Sequence, residues 1–319
     1  LKALSEQTIA KEKVEFIFID DNSEDESVSL IAESLYDFRF DFQILMLPKD
    51  KSGKKAATEA GVTAAKNEYI LCTDADCIPE KTWAETFSAF AAMHEPDLTF
   101  GEIYIKSTES LFSKLQFIEF AALVTSGSIL LEKGKPLYGN AANMLFRKKT
   151  FEEAGGYTGN KHIPSGDDEF LLKKVKARKG KILFLKSSLS RVSTLPALSV
   201  QEFLNQRVRW ASKWSAHGSI AHAGSAFLVF VFQLYRVIFP TLIFFNVAKN
   251  ELLFFLLTIA CFFLSEFVLL RQITAFIKIS GKSFAILLCQ LIYPFYVISV
   301  ALMTLHGDYM WKGRFFRKE

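Results

Sequence analysis

Hydrophobic and polar positions follow two short rhythms through the first two thirds of the chain. Residues 14–20 (VEFIFID), 42–47 (FQILML) and 69–73 (YILCT) are short apolar runs. Their β-branched and aromatic content predicts strands. Residues 24–36 set Val28, Ile31 and Leu35 at helical spacing, and the Ala-rich 54–66 and then 80–93 also read as helix. The β-α-β-α-β-α alternation predicts a parallel sheet covered by helices. Ligands bind at the carboxyl ends of such strands. Asp20, Asp21, Asp74 and Asp76 fall there, which gathers four carboxylates at one rim. From 98 to 200 the pattern is mixed: a strand over 98–105, a long helix near 109–131, and a helix over 168–179 leading into strand 181–185. A helix from about Ser199 to Trp214 follows.

Beyond residue 222 the rhythm gives way to three apolar segments, 226–248, 252–270 and 284–305. Each has the roughly 20 residues that a helix needs to cross a bilayer. The first carries only Arg236 as a charge, the second only Glu266, the third none. Buried helices of a large soluble core rarely run so long without a polar face. The expected division is therefore 1–222 as a cytoplasmic domain and 223–319 as a membrane domain. This reconciles 50% hydrophobic residues and a mean hydropathy of +0.20 with 23% charged residues.

No secretory signal opens the chain, and its first Met is Met46, so a piece of a longer protein is expected. Cys72, Cys77, Cys261 and Cys289 form no CxxC pair, which argues against a disulfide framework or zinc site. The net charge is +4, with a basic cluster at Lys148–Lys149 and another from Lys173 to Lys181. Beside membrane segments these suit anionic lipid head groups. No aromatic-interleaved basic stripe points to nucleic acid.

Five stretches carry candidate chemistry. In "CTDADC", Asp74 and Asp76 lie two apart and point the same way in extended backbone. They suit Mg²⁺ or Mn²⁺ bound with substrate phosphates; a solvated turn is the plainer alternative. A phosphatase of the haloacid dehalogenase type also ends a strand in DxD, but on its first strand, not its third. "PKDKSGKKAAT" has Pro48 where a Walker A loop needs glycine, yet Gly53 and Lys54 open a helix that favours phosphate. "SGDDE" puts Asp167, Asp168 and Glu169 at a helix start, as caps or as a general base. "QRVRW" offers Gln206, an arginine fork at Arg209 and the flat ring of Trp210. "GNAAN", ending at Asn143, and Gly155-Gly156 suggest loops close to a ligand.

Taken in order, "FIFIDDNSEDES", "SGKKAATEAGVTAAKNEYILCTDADC", "GNAANMLFRKKTFEEAGGY", "SGDDE" and "QRVRW" resemble glycosyltransferase family 2 in its membrane-bound branch. That branch includes the cellulose, chitin and hyaluronan synthases and the ceramide glucosyltransferases. The resemblance implies an α/β GT-A (nucleotide-diphospho-sugar transferase) fold followed by C-terminal transmembrane helices. It implies inverting transfer from a nucleotide sugar to a lipid, lipid-linked glycan or polysaccharide.

By position, Asp20 and Asp21 would contact the nucleoside. Asp74 and Asp76 would hold the ribose and the metal-bound diphosphate, with Asp76 the direct ligand. Lys54 would face the donor phosphates. Asp168 would be the base, with Asp167 in reserve. Asn143, Gln206, Arg209 and Trp210 would line the acceptor and diphosphate. The family's opening strand is missing, so the donor site is expected to be incomplete. Partner subunits for export and a plasma-membrane location follow from the same resemblance. The basic Arg271–Lys282 loop and the tail "WKGRFFRK" should both stay inside. Three crossings cannot satisfy both, so either one apolar segment does not cross or the tail is an exception; Arg236, beside Pro240, makes the first segment the candidate for an interfacial or re-entrant piece.

Overall fold

The computed structural model of the protein describes residues 1–160, 163, 166–216, 220–246, 249–306, 309–311 and 314–316. It divides into two compact units: Leu1–Tyr104 with Ser126–Thr194, and Ile105–Thr125 with Leu195–Glu319. The boundary thus differs from the expected one at 222. Residues 105–125 and 195–222 fall in the second unit, where Phe117 packs against Phe276 and Phe203 against Tyr296.

The first unit opens with α1 (Lys2–Ser5), β1 (Glu15–Asp20), α2 (Ser27–Ser34) and β2 (Asp41–Met46). β1 and β2 pair in parallel, from Glu15 with Asp41 to Asp20 with Met46. Phe16 stacks edge-on against Phe38 and tilts against Phe40, each with ring centroids 5.1 Å apart. Aromatic pairs of this kind add about 0.5–1.5 kcal/mol beyond area burial, so this small sheet has its own core.

Next come α3 (Lys54–Ala64), β3 (Tyr69–Cys72), β4 (Cys77–Pro79), α4 (Trp83–His94), β5 (Leu98–Gly101) and β6 (Ile103–Ile105). After α5 (Leu111–Glu132) the chain adds β7 (Met144–Arg147), α6 (Lys148–Glu153), α7 (Asp167–Ala177), β8 (Ile182–Leu185) and β9 (Val192–Thr194). One sheet has the order β3-β7-β5-β8; another is β4-β9-β6.

A single parallel sheet through the first three strands is not formed. β3 pairs antiparallel with β7, β7 antiparallel with β5, and β5 parallel with β8. A four-residue apolar run carries no directional signal, and its partner here lies some 75 residues away. The strand expected over 98–105 is interrupted at Glu102, whose carbonyl accepts from Val192 N–H and from Asn143 Nδ2. The core of the unit joins Leu98, Phe100, Met144 and Phe146 of the sheet to Leu171, Leu172 and Val175 of α7. Each fully buried apolar side chain contributes about 1.5–3 kcal/mol. That packing fixes the acidic start of α7 against the sheet.

In the second unit, α8 (Val200–Ala216) precedes α9 (Ile220–Asn246), α10 (Lys249–Ile273) and α11 (Lys282–His306), and a small hairpin of β10 (Tyr309–Trp311) and β11 (Arg314–Phe316) ends it. Among the described residues, three helices are long and apolar enough to cross a membrane: Leu111–Glu132, Leu256–Ile273 and Lys282–Leu305. Ala223–Ile238 is apolar but shorter. The first of the three was expected only as a long helix; 39% of its apolar window is buried against protein, against 6% for Leu256–Ile273. Of these three, Leu256–Ile273 of α10 therefore presents the most open apolar surface.

The first apolar segment forms one continuous helix, with Pro240 inside it. Its lone charge is neutralised by that of the second: Arg236 Nη2 lies 3.3 Å from Glu266 and donates to the Gln290 carbonyl. Gln290 Nε2 donates to Glu266 and to the Phe263 carbonyl. Charges in apolar surroundings are retained when paired in this way. Residues 247–248 of that segment, and 312–313 and 317–319 of the basic tail, lie outside the described residues.

Candidate active site

The acids at the strand ends are placed by backbone bonds. Asp20 is buried at the end of β1, and its carboxylate accepts from Ser23 N–H, which shapes the turn after the strand. Asp21 accepts from Gly53 N–H through both oxygens, at 2.8 and 3.0 Å. Gly53 has φ +90°, a conformation costly for any residue with a Cβ. Asp21 and Gly53 together set the N-terminus of α3 against the end of β1.

That placement delivers Lys54. Its Nζ lies 2.5 Å from Asp74 Oδ1, just beyond β3, and 3.3 Å from Asp167 Oδ2, in the first turn of α7. Desolvation works against the ammonium, but Asp167, Asp74 and Asp168 outweigh it and hold the Lys54 pKa above its ordinary range. The DxD strand end and the acidic helix start, about 90 residues apart in sequence, therefore share one cation.

α7 is entered through Gly166, at φ +84°, and its first turn holds Asp167, Asp168 and Glu169. Acids there are favoured by the helix dipole. Asp168 is 9% exposed. Its carboxylate accepts from Ala141 N–H at 3.3 Å and from Glu169 N–H at 2.8 Å. Ser165 of "SGDDE" lies outside the described residues.

Sequence reasoning missed Lys55. It is 5% exposed, donates to the carbonyls of Asn160 and Ile163, and sits 4.4 Å from the Phe170 ring centroid. Adjacent lysines thus take opposite tasks: Lys54 meets the acids and Lys55 pins the segment leading to them. Nothing in "GKK" separates the two; only the direction of each side chain from the helix does.

Two expected ligand contacts are structural instead. Asn143 is fully buried, accepts from Trp83 Nε1, and donates to the carbonyls of Glu102 and Ser190. Its amide is thus spent on partners within the core. Gly155 and Gly156, at φ +70° and +48°, terminate α6. The Gly156 carbonyl accepts from Lys174 Nζ. They form a helix stop.

Asp74, Asp76 and Cys77 each offer a ligand atom, all within 4.8 Å of one another. Two carboxylates fit Mg²⁺ or Mn²⁺, and Asp76 is the exposed one. Burial, reinforced by Asp74 and Asp76, pushes the Cys77 thiol up to about 12. A thiol protonated at neutral pH is a poor ligand, so the carboxylates define the site.

Gln206, Arg209 and Trp210 belong to the second unit, on α8. The residue between the expected ones joins two of them, Gln206 and Trp210. Arg207 is 4% exposed and grips Glu119 of α5 with two bonds: Nε to Oε1 at 3.1 Å and Nη2 to Oε2 at 2.5 Å. Its Nη1 donates to Gln206 Oε1, and its guanidinium lies 4.2 Å from the Trp210 ring centroid. Trp210 also packs against Phe120. The Tyr296 hydroxyl on α11 donates to Glu119 as well.

Residues 1–155, just under half of the chain, match the family Glycosyl transferase family 2, and they fold as mixed α/β structure. Poly-beta-1,6-N-acetyl-D-glucosamine synthase of Staphylococcus aureus (strain COL) is 32% identical over 115 residues, 35% of this chain and 27% of that protein. The enzyme of the same name from Staphylococcus epidermidis is 28% identical over 150 residues, 44% of this chain and 34% of that protein. The match thus spans about a third or less of the curated relatives' length. Among solved structures, S. aureus TarS 1-349 in complex with UDP-GlcNAc aligns at TM-score 0.45 and 13% identity, covering 99% of this chain and 91% of that one. The Pyrobaculum calidifontis mannosyltransferase PcManGT, with GDP-Man and Mn²⁺, aligns at 0.48 and 15%, covering 95% and 81%.

Proposed function

We propose that the chain transfers a sugar from a nucleoside diphosphate sugar to an acceptor hydroxyl, with inversion, at a membrane surface facing the cytoplasm. The observation that carries this is Lys54 between Asp74 and Asp167, which brings a phosphate-side acid pair and a base candidate to one place. The N-acetylglucosamine polymer named for the staphylococcal relatives makes UDP-N-acetylhexosamine the first donor to test.

In this reading Asp168 accepts the proton of the acceptor hydroxyl as its oxygen attacks the anomeric carbon. The bond from that carbon to the diphosphate breaks, and the electron pair leaves with the nucleoside diphosphate. A single displacement inverts the anomeric centre and needs no covalent nucleophile. Ala141 and Glu169 N–H groups orient the Asp168 carboxylate. Asp76, with Asp74, would hold Mg²⁺ or Mn²⁺, which when bound offsets charge on the diphosphate. Lys54 keeps Asp74 and Asp167 from repelling one another. Asp20 and Asp21 shape the loops on the nucleoside side, and Gln206, Arg209 and Trp210 contribute the acceptor side.

The acceptor is a lipid, a lipid-linked glycan or a growing polysaccharide. The three long apolar helices support placement in lipid. Donor turnover by the purified full-length protein in lipid, with product mass spectrometry, tests the proposal. Release of free sugar phosphate or inorganic phosphate would favour a phosphatase. No turnover with any nucleotide sugar would favour a non-catalytic subunit.

A further inference from the structure

Where α10 ends and α11 begins, the chain forms an open concavity of about 480 Å³ lined by Arg271, Lys278 and Lys282 with Ser280 and Ser283. No acidic residue is among those lining it. Lys282 Nζ is fixed there by the Thr274 carbonyl at 2.6 Å and by the Ile277 carbonyl, so it closes the turn. Arg271 and Lys278 are exposed. Three cations around one concavity attract an anion with several oxygens, and the guanidinium fork suits phosphate.

The surroundings decide which phosphate. Phe284, Leu287 and Leu291 follow at helical spacing on α11 and are 62, 48 and 57% exposed. They form one open apolar stripe that starts beside the cavity. Val268 and Leu269 on α10 are also exposed, at 46 and 53%. A free phosphate would satisfy the cations and leave this stripe in water. A phospholipid satisfies both, with its phosphodiester in the basic cavity and an acyl chain along the stripe. We propose that the α10–α11 turn is a headgroup site for an acidic phospholipid. The proposal rests on α10 and α11 lying in a bilayer.

The full-length protein in nanodiscs of equal phosphatidylglycerol and phosphatidylcholine provides the test, with retained lipid read by native mass spectrometry. Phosphatidylglycerol should be retained about 30-fold or more over phosphatidylcholine, the scale expected for two or three cations near one headgroup. R271Q/K278Q should bring the ratio close to one. F284Q/L287Q, which keeps the cations, should lower total retained lipid. Equal retention of both lipids by the unaltered chain, or an unchanged preference in R271Q/K278Q, overturns the site. Displacement of phosphatidylglycerol by millimolar inorganic phosphate overturns the lipid as its occupant. Carbonate washing separates the two layers of the argument: a chain stripped from membranes refutes the bilayer placement, whereas a resistant chain without headgroup preference refutes the site alone.

Discussion

The Lys54 ammonium lies 2.5 Å from the Asp74 carboxylate, and the same nitrogen reaches Asp167 at 3.3 Å. Removing that cation leaves two carboxylates facing each other with Asp168 close by. K54M should weaken donor binding by about tenfold or more, since like charges in one site disfavour a further anion. K54R keeps the charge and should stay within about threefold. Calorimetric titration with the nucleotide sugar distinguishes the two. Equal loss in both variants would mean that Lys54 acts by shape and not by charge.

The pH dependence of this contact has a definite sign. The Lys54 pKa is raised above its ordinary 10.5 by the three aspartates. A raised folded-state pKa gives stability that is fully present below the unfolded value and lost as pH rises through the folded one. The difference in thermal midpoint between the unaltered chain and K54M should therefore be flat from about pH 6 to about pH 9 as far as lysine titration is concerned. A difference that vanishes near pH 8 would show that the ammonium is not held in this way.

Asp167 and Asp168 are neighbours with separable roles. Asp167 carries the contact to Lys54, whereas Asp168 is held by backbone N–H groups. D168N should reduce transfer by roughly 10²–10⁴-fold, the range for a lost general base, with donor affinity kept within about threefold. D167N should weaken donor affinity too, because it loosens Lys54. If D168N lost donor binding and transfer equally, the base assignment would fall.

Asn143 bonds Trp83, Glu102 and Ser190 from a fully buried position. N143A strands one donor and two carbonyls, and at about 1–3 kcal/mol for each buried unsatisfied group it should lower stability by several kcal/mol. Unfolding midpoints check this. The Michaelis constant for the acceptor should not change at temperatures where the variant stays folded.

Local pattern carried much of this fold. The expected strands over 14–20, 42–47 and 69–73 are β1, β2 and β3 to within a residue or so. The acidic stretch at 167–169 does open a helix. Each signal sits within a few residues, where period and capping act. The antiparallel β3–β7 pair was not legible, because pairing partners far apart in sequence are chosen by the path of the whole chain. The core bonds of Asn143 were hidden for a related reason: a polar residue beside an apolar run looks like a loop until Trp83 and the Ser190 carbonyl arrive from other elements. Lys55 and Arg207 stand next to residues with stronger expectations, and only burial tells them apart.

Arg207 and Glu119 give the sharpest case. The pair is almost dry, with side chains 3% and 11% exposed, and is bidentate. It holds Gln206 from one side and lies under Trp210 on the other. Breaking a buried pair from one side leaves an uncompensated charge and typically costs about 3–5 kcal/mol, whereas replacing both partners with apolar groups is often near neutral. R207L and E119L should each lower the thermal midpoint strongly, and R207L/E119L should recover most of that loss. Stability recovered in this way should not restore acceptor use, because Trp210 would still lack the guanidinium that fixes its ring. The reading is a double-mutant cycle for stability beside the acceptor Michaelis constant of each variant. If the double variant regained normal acceptor kinetics with its stability, Arg207 would be a fastener of α8 to α5 and would not position Trp210.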